Sequence, residues 1–147
     1  MREILFRGKG SLNLWTVGSL VLAEDFTAIL EQDEESYDYP YLDGKVGIID
    51  GAVTMVAPET VGQYTGLKDK NGRMIFEGDL VEAVLPPSIS QPSFVWPLMP
   101  VVFSDGVFGL QDQRGEVTPF KSFAPSVTLE VKGNIHDNPD LLKEENE

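Results

Sequence analysis

Short apolar runs, separated by glycine, proline and aspartate, follow one another along this chain. Alternation of apolar and polar residues predicts strands over Glu3–Arg7 and Asn13–Ala23, with Gly8–Ser11 as the turn between them. A third strand is predicted over Phe26–Glu31. The 14 glycines and 10 prolines are spread through the sequence, which favours many short strands over long helices.

A dense polar stretch, TGLKDKNGRMIFEGD (Thr65–Asp79), separates two further apolar runs. Asn71-Gly72 predicts the tip of a type I′ hairpin, because that turn needs positive φ at both central residues. Gly78 predicts a left-handed residue, and Asp79 an Asx-turn, before a strand over Leu80–Leu85. We therefore interpret this stretch as a hairpin rather than as a reactive site.

The remaining turn-forming residues complete a mainly β pattern. Asp50-Gly51 predicts another hairpin, and Ser-Asp-Gly within Val101–Gln111 predicts a turn between two strands. A strand is predicted within Ser126–Ile135. Asn138 stands where a helix N-cap belongs, and Pro139 suits the first helical position, so a short C-terminal helix should follow.

The spacing of these strands predicts a β-rich α+β fold. We expect a small N-terminal β unit over residues 1–60 and a C-terminal SH3-like β-roll, or partly open barrel, over residues 61–147. The roll should hold about five strands and end in the short helix. A single continuous domain over residues 1–147 is the alternative.

A proline-rich stretch, Pro86–Pro100, contains half of all the prolines and should admit no regular element. It also carries the large apolar residues Phe94, Val95, Trp96, Leu98 and Met99. Two readings stay open. The loop folds back and caps the barrel, or it forms a protein-contact loop, since exposed aromatic clusters mark interfaces.

The charge balance limits the classes of partner. Eleven basic and 24 acidic residues give a net charge of −13 and a pI near 4.3. Phosphate backbones repel such a chain unless its cations cluster. The absence of cysteine excludes disulfides, thiolate nucleophiles and Cys-zinc sites. Neither a signal-peptide h-region nor a run of about 18 apolar residues is present, so we expect a soluble cytoplasmic protein.

Known binding motifs fit the polar stretches poorly. With Asp69 at position one of a calcium loop, the required glycine falls on Met74 and the bidentate acid on Leu80. The RGKGS segment lacks the first glycine of a phosphate loop, and Lys9 precedes Gly10 instead of serine or threonine. Neither stretch is predicted to bind a cofactor, and we expect no cofactor elsewhere in the chain.

Two catalytic interpretations are less favoured than a structural one. His136 is the only histidine, so it cannot build a multi-histidine zinc site, although it could serve as a base beside Asp137. Glu77, Asp79, Asp105 and Asp137 could hold Mg²⁺ or Mn²⁺, but each lies at a position typical of a turn. No catalytic or metal-binding residue is therefore assigned, and we expect that the protein is not an enzyme.

The ordered segments MREILFRG, LWTVGSL, PETVGQYTGLKDKNGRMIFEGDLV, VVFSDGVF and VKGNIHDNPDLL resemble the YopX-like family of phage and prophage proteins. The resemblance is most specific over Pro58–Val81 and weakest in Glu24–Met55 and Pro86–Pro100. It implies an SH3-like C-terminal roll and a setting in the cytoplasm of a bacterial host. It implies no activity, cofactor or catalytic residue.

Three functional hypotheses follow. The first is a non-enzymatic accessory protein that acts through protein–protein contacts, as a homo-oligomer or with another phage or host protein. The second is a nucleic-acid-related role, either through cations at Arg2, Arg7, Lys9, Lys68, Lys70 and Arg73 or as an acidic decoy of a host DNA-binding protein. The third is a metal-dependent hydrolase.

Overall fold

The computed structural model describes residues 3–31 and 53–145 of the chain. Within these residues lie twelve strands, two single 3₁₀ turns at Pro58–Thr60 and Phe120–Ser122, and one α-helix. The strands and the helix are β1 Phe6–Lys9, β2 Trp15–Leu22, β3 Thr27–Glu31, β4 Val53–Met55, β5 Gly62–Lys68, β6 Met74–Phe76, β7 Asp79–Leu85, β8 Phe94–Val95, β9 Met99–Ser104, β10 Val107–Gln111, β11 Val117–Pro119, β12 Thr128–Asn134 and α1 Asp140–Glu145. None of the described helices is long and apolar enough to cross a bilayer.

The chain divides into two compact units, an N-terminal unit of Met1–Tyr64 and a C-terminal unit of Thr65–Glu147. The division falls within strand β5. The acidic stretch of residues 32–44 and the predicted Asp50-Gly51 hairpin lie outside the described residues.

Strands in the N-terminal unit pair antiparallel in the order β4-β3-β2-β1, and the start of β5 pairs with β1. The predicted turn at Gly8–Ser11 was placed too early, because Gly8 and Lys9 belong to β1 and the turn spans Ser11–Asn13. A Cβ on Gly8 would lie 2.7 Å from the Val56 side chain. The missing side chain therefore lets Val56 pack onto the strand.

Strands in the C-terminal unit form a sheet in the order β11-β10-β9-β7-β12, with β8 paired to β7. The core of this unit contains Ile75 of β6 together with residues of these strands, namely Val81, Ala83, Met99, Val101, Leu110 and Val131. A mainly β chain with a half-barrel and a short C-terminal helix confirms the predicted fold class.

The hairpin between β5 and β6 is confirmed, but its turn type was wrong. Among the described non-glycine residues, positive φ occurs only at Asn13 and Asp105, so φ is negative at Asn71, whereas Gly72 takes φ +81°. The N–H of Gly72 donates to the carbonyl of Asp69 at 2.9 Å. The Asp69 carboxylate accepts the N–H of Asn71 at 2.9 Å, the hydrogen bond of an Asx-turn.

Two further details differ from the prediction. The proline-rich stretch does contain regular structure, because β8 lies inside it and β9 begins at Met99 and includes Pro100. Asn138 does not turn its side chain toward the helix. Its Oδ1 accepts the N–H of Asn134 at 3.2 Å, in space that a Cβ on Gly133 would fill.

Candidate functional site

Strand β8 places two apolar side chains on the surface of the C-terminal unit. Phe94 is 51% exposed and Val95 is 54% exposed, and they pair with Leu85 and Val84 of β7. Among the described strands, β8 pairs only with β7. We call these two residues the β8 edge. They are the part of the predicted contact loop that reaches solvent most fully.

The other three residues of the predicted loop lie deeper. Trp96 packs edge-on against Phe94 and Phe123, with ring centroids 4.9 and 5.4 Å apart. Its main-chain N–H donates to the carbonyl of Ala83. Leu98 is half-buried and Met99 is a core residue. The loop thus caps the core at Trp96 and Met99 and leaves the β8 edge exposed to solvent. Its role as a protein-contact loop stays a prediction.

A shallow pocket of about 210 Å³ opens beside Trp96. We call it the Trp96 pocket. Its lining consists of Trp96, Pro97, Leu98, Met99, Asp112, Gln113 and Arg114. The last three belong to the turn between β10 and β11, which Asp112 holds by accepting the N–H groups of Arg114 and Glu116 on Oδ1 at 2.9 and 3.0 Å.

Asp69, the central acid of the polar stretch, is buried and tied to main chain. Its Oδ1 accepts the N–H groups of Asn71 and Arg73, both at 2.9 Å, and its Oδ2 accepts that of Val131 at 3.0 Å. Desolvation raises the pKa of Asp69, but the three N–H donors and the Arg73 charge outweigh it and hold that pKa below 3.8. The carboxylate therefore fastens the β5–β6 hairpin to β12.

His136 lies in a turn built by Asn134. The Asn134 Oδ1 accepts the N–H groups of His136 and Asp137, at 2.9 and 2.8 Å, and its Nδ2 donates to the Asp137 carboxylate at 3.1 Å. Asn134 is 5% exposed, so these bonds replace water for a buried amide. The segment GNIHDNPD thus has a structural explanation that requires no chemistry of the imidazole.

The four carboxylates considered for a metal serve different local roles. Asp79 is fully buried and its Oδ2 accepts the N–H of Phe76 at 2.8 Å. Asp105 is exposed at the β9–β10 turn with φ +51°. Asp137 is bound to Asn134, and Glu77 is half-buried next to Gly78. Across residues 3–31 and 53–145, no group of three or more His, Asp or Glu residues could hold a metal ion.

Two of the candidate cations, Arg7 and Lys70, make local contacts. Lys70 and Lys132 both contact Glu130, at 2.7 and 2.8 Å, and hold the pKa of that carboxyl below its ordinary value, Lys132 with the larger effect. Arg7 is buried, and its guanidinium lies 4.7 Å from the ring centroid of Trp15. Arg2 lies outside the described residues.

Sequence reasoning missed the polar side of the Trp96 pocket. Asp112, Gln113 and Arg114 follow an apolar strand and precede Gly115, which has φ +85°. The pattern therefore predicts a turn, and nothing in it indicates that this turn meets the proline-rich stretch. Such a contact between distant segments is fixed by the pairing of β9 with β10.

Comparisons with known proteins concern both family and fold. The model of the YopX protein family matches residues 21–143. Among solved structures, the chain is similar to the crystal structure of protein EF1440 from Enterococcus faecalis, with a TM-score of 0.52 and 22% identity over 97% of this chain and 99% of that one. It is also similar to the X-ray structure of YopX from Bacillus subtilis, with a TM-score of 0.48 and 20% identity over 97% and 99%.

The comparison with curated proteins gave no match. At 22% identity, the likeness to EF1440 concerns the fold alone and agrees with the mainly β architecture. The family match covers most of the chain and confirms the resemblance recognised in the sequence. The chain belongs to the YopX protein family.

Proposed function

We propose that this chain is a non-enzymatic accessory protein of a phage or prophage, which works in the host cytoplasm through protein–protein contacts and pairs with a second copy of itself at the β8 edge. The phage setting comes from the family resemblance. The observation that carries the contact role is the half-exposed apolar pair Phe94 and Val95 on a strand that, among the described strands, pairs with β7 alone.

The main chain of β8 suits pairing with another strand. The main-chain N–H of Trp96 donates to the carbonyl of Ala83 in β7 at 3.0 Å, so the main-chain groups of Trp96 face β7. In an antiparallel pair successive residues point their N–H and C=O groups to opposite sides, and those of Val95 therefore face away from β7. A strand edge of this kind is a template for pairing with another chain.

The flanking prolines limit what can pair there. Pro92 and Pro97 lie on either side of β8 and have no N–H to donate, so the available edge is short. Two copies related by a two-fold axis can place this short edge against itself and bury Phe94 and Val95 of both. Such a contact closes on itself and does not propagate into a fibre.

Charge should govern how self-association responds to salt. Each copy carries −13, so two copies repel one another over distances that salt screens to about 8 Å at physiological ionic strength. An apolar interface between like-charged copies should strengthen as salt is added. An interface held by ion pairs should weaken instead, which separates the two kinds of contact in one titration.

The proposal predicts that Phe94→Ser/Val95→Ser weakens self-association about tenfold or more, since two apolar side chains leave the interface. Sedimentation equilibrium of the full chain measures this at low and high NaCl. Leu22→Ser is the matched control, because Leu22 is 72% exposed on β2 and lies outside the β8 edge. It should leave the association constant unchanged.

Three results contradict the proposal. The wild-type chain stays monomeric at about 1 mM, a concentration that detects even weak pairing. Alternatively, the double variant associates as well as wild type, or added salt dissociates the complex. Circular dichroism of each variant establishes that a change in mass does not reflect unfolding.

The non-enzymatic part rests on how the candidate groups are used. Asp79 and the main chain around His136 take part in turn hydrogen bonds, and Lys70 lies in an ion pair with Glu130. The nucleic-acid and metal-hydrolase alternatives stay predictions. Binding to DNA that falls with salt supports the first, and divalent-ion binding abolished by Asp79→Ala or Asp105→Ala supports the second.

A further inference from the structure

The Trp96 pocket has the size of one side chain. Its volume of about 210 Å³ lies below the range of about 300–1,000 Å³ typical of small-molecule sites. Trp96, Pro97, Leu98 and Met99 supply its apolar wall. A single large apolar side chain fits this space better than an extended ligand does.

The polar side of the pocket supplies a cation. Arg114 is exposed, and its guanidinium makes no ion pair with any residue in the described ranges. Asp112 stands beside it in the lining, but its Oδ1 already accepts two main-chain N–H groups of the turn. Asp112 keeps its negative charge, so an incoming anion can pair only with Arg114 among the lining residues, and a guanidinium binds a carboxylate with two parallel hydrogen bonds.

From these two features we infer that the Trp96 pocket binds the C-terminal residue of another protein chain, with a large apolar side chain against Trp96 and the free carboxylate on Arg114. Because Arg114 lines the same small pocket, the carboxylate must lie close to the side chain that fills it. A chain end satisfies this with one residue, since both groups share a Cα. Capture of a terminal carboxylate is an established mode of peptide recognition.

The inference goes beyond the proposed function, because the pocket can bind a chain end whether or not the β8 edge pairs with a second copy. The net charge of −13 opposes an anionic ligand at long range, but physiological salt screens that repulsion beyond about 8 Å. The local guanidinium should therefore decide binding at contact distance.

The test is an NMR titration of the ¹⁵N-labelled full chain with N-acetyl-leucine as the probe. The chain has two tryptophans, so the indole N–H of Trp96 reports on the pocket and that of Trp15 is an internal control. We expect a saturable shift at Trp96 and at the amides of Gln113 and Arg114. N-acetyl-leucinamide lacks the carboxylate and N-acetylglycine lacks the side chain, and each should bind about tenfold more weakly.

Arg114→Gln should lower the affinity for N-acetyl-leucine about tenfold, to that of the amide probe. Lys143→Gln removes a charge from an exposed position on α1 and should leave the titration unchanged. The inference is overturned if N-acetyl-leucine gives no saturable shift at Trp96 up to about 20 mM. It is equally overturned if the amide binds as well as the acid, or if Arg114→Gln has no effect while its spectrum shows a folded protein.

Discussion

Replacing Asp69 by alanine is expected to lower the free energy of unfolding by about 3 kcal/mol. The carboxylate accepts three main-chain N–H groups, from Asn71, Arg73 and Val131. The donors of Asn71 and Arg73 belong to exposed residues and can turn to water, but Val131 is a buried core residue. Losing its acceptor costs more than an ordinary hydrogen bond, because a buried donor is left without a partner.

Urea denaturation of the full chain measures this change. Asp69→Asn keeps one acceptor oxygen but places an NH₂ group against main-chain N–H donors, so it should also destabilise the protein, by about 2 kcal/mol. Glu116→Ala removes an exposed acid from the β10–β11 turn and is the matched control, with a change of less than about 0.5 kcal/mol. Equal stability of wild type and Asp69→Ala contradicts the role given to this carboxylate.

The contribution of Asp69 should also depend on pH in a defined direction. Its folded-state pKa lies below the ordinary 3.8, so the unfolded chain binds the proton more readily. The stabilisation is therefore fully present above pH 3.8 and is lost as the pH falls through the lower folded-state pKa. The stability difference between wild type and Asp69→Asn should shrink over that acidic interval and stay constant from pH 5 to 8.

The second large effect is expected at Gly109 in β10. A Cβ at this position would lie 2.4 Å from the carbonyl oxygen of Thr118 in the neighbouring strand β11. Main chain cannot move aside as a flexible side chain can, so Gly109→Ala must separate β10 from β11. We expect a loss of about 3 kcal/mol in the free energy of unfolding.

Gly66→Ala provides the control for Gly109→Ala. Gly66 has φ +88° with nothing within 4 Å of an added Cβ, so its replacement carries backbone strain without a clash and should cost about 1 kcal/mol. Gly109→Ala should further shift the NMR amides of Gln113 and Arg114, because the β10–β11 pairing holds their turn. A smaller loss at Gly109 than at Gly66 contradicts the close approach of β10 and β11.

The sequence predicted the elements whose cause is local. Gly78 and the Ser-Asp-Gly turn require positive φ, and both have it, at Gly78, Asp105 and Gly106. Alternation of apolar residues placed β7, β9, β10 and β12 within a few residues of their ends, whereas β8 was not predicted. Pro58–Val81, the segment that most specifically resembles the family, includes Gly78 and the β5–β6 hairpin.

The features that depend on distant partners could not be predicted. Asp69 contacts Val131, 62 residues further along the chain, and no local pattern indicates that one carboxylate binds both the β5–β6 turn and β12. Met99 looked like a member of a surface loop, yet β9 carries it into the core. The same pairing of strands brings Arg114 to the pocket beside Trp96, a juxtaposition that no spacing in the sequence indicates.

The most direct test of the central claim, that the β8 edge meets a second copy of the chain, is an isotope-filtered NOE experiment. An equal mixture of ¹³C,¹⁵N-labelled and unlabelled protein reports only contacts between copies. We predict intermolecular NOEs from the Val95 methyl groups and the Phe94 ring. In Phe94→Ser/Val95→Ser, which lacks both groups, the intermolecular NOEs of all other residues should be lost as well. Intermolecular NOEs confined to other exposed side chains, such as Leu12 and Leu14, or none at all at millimolar concentration, contradict it.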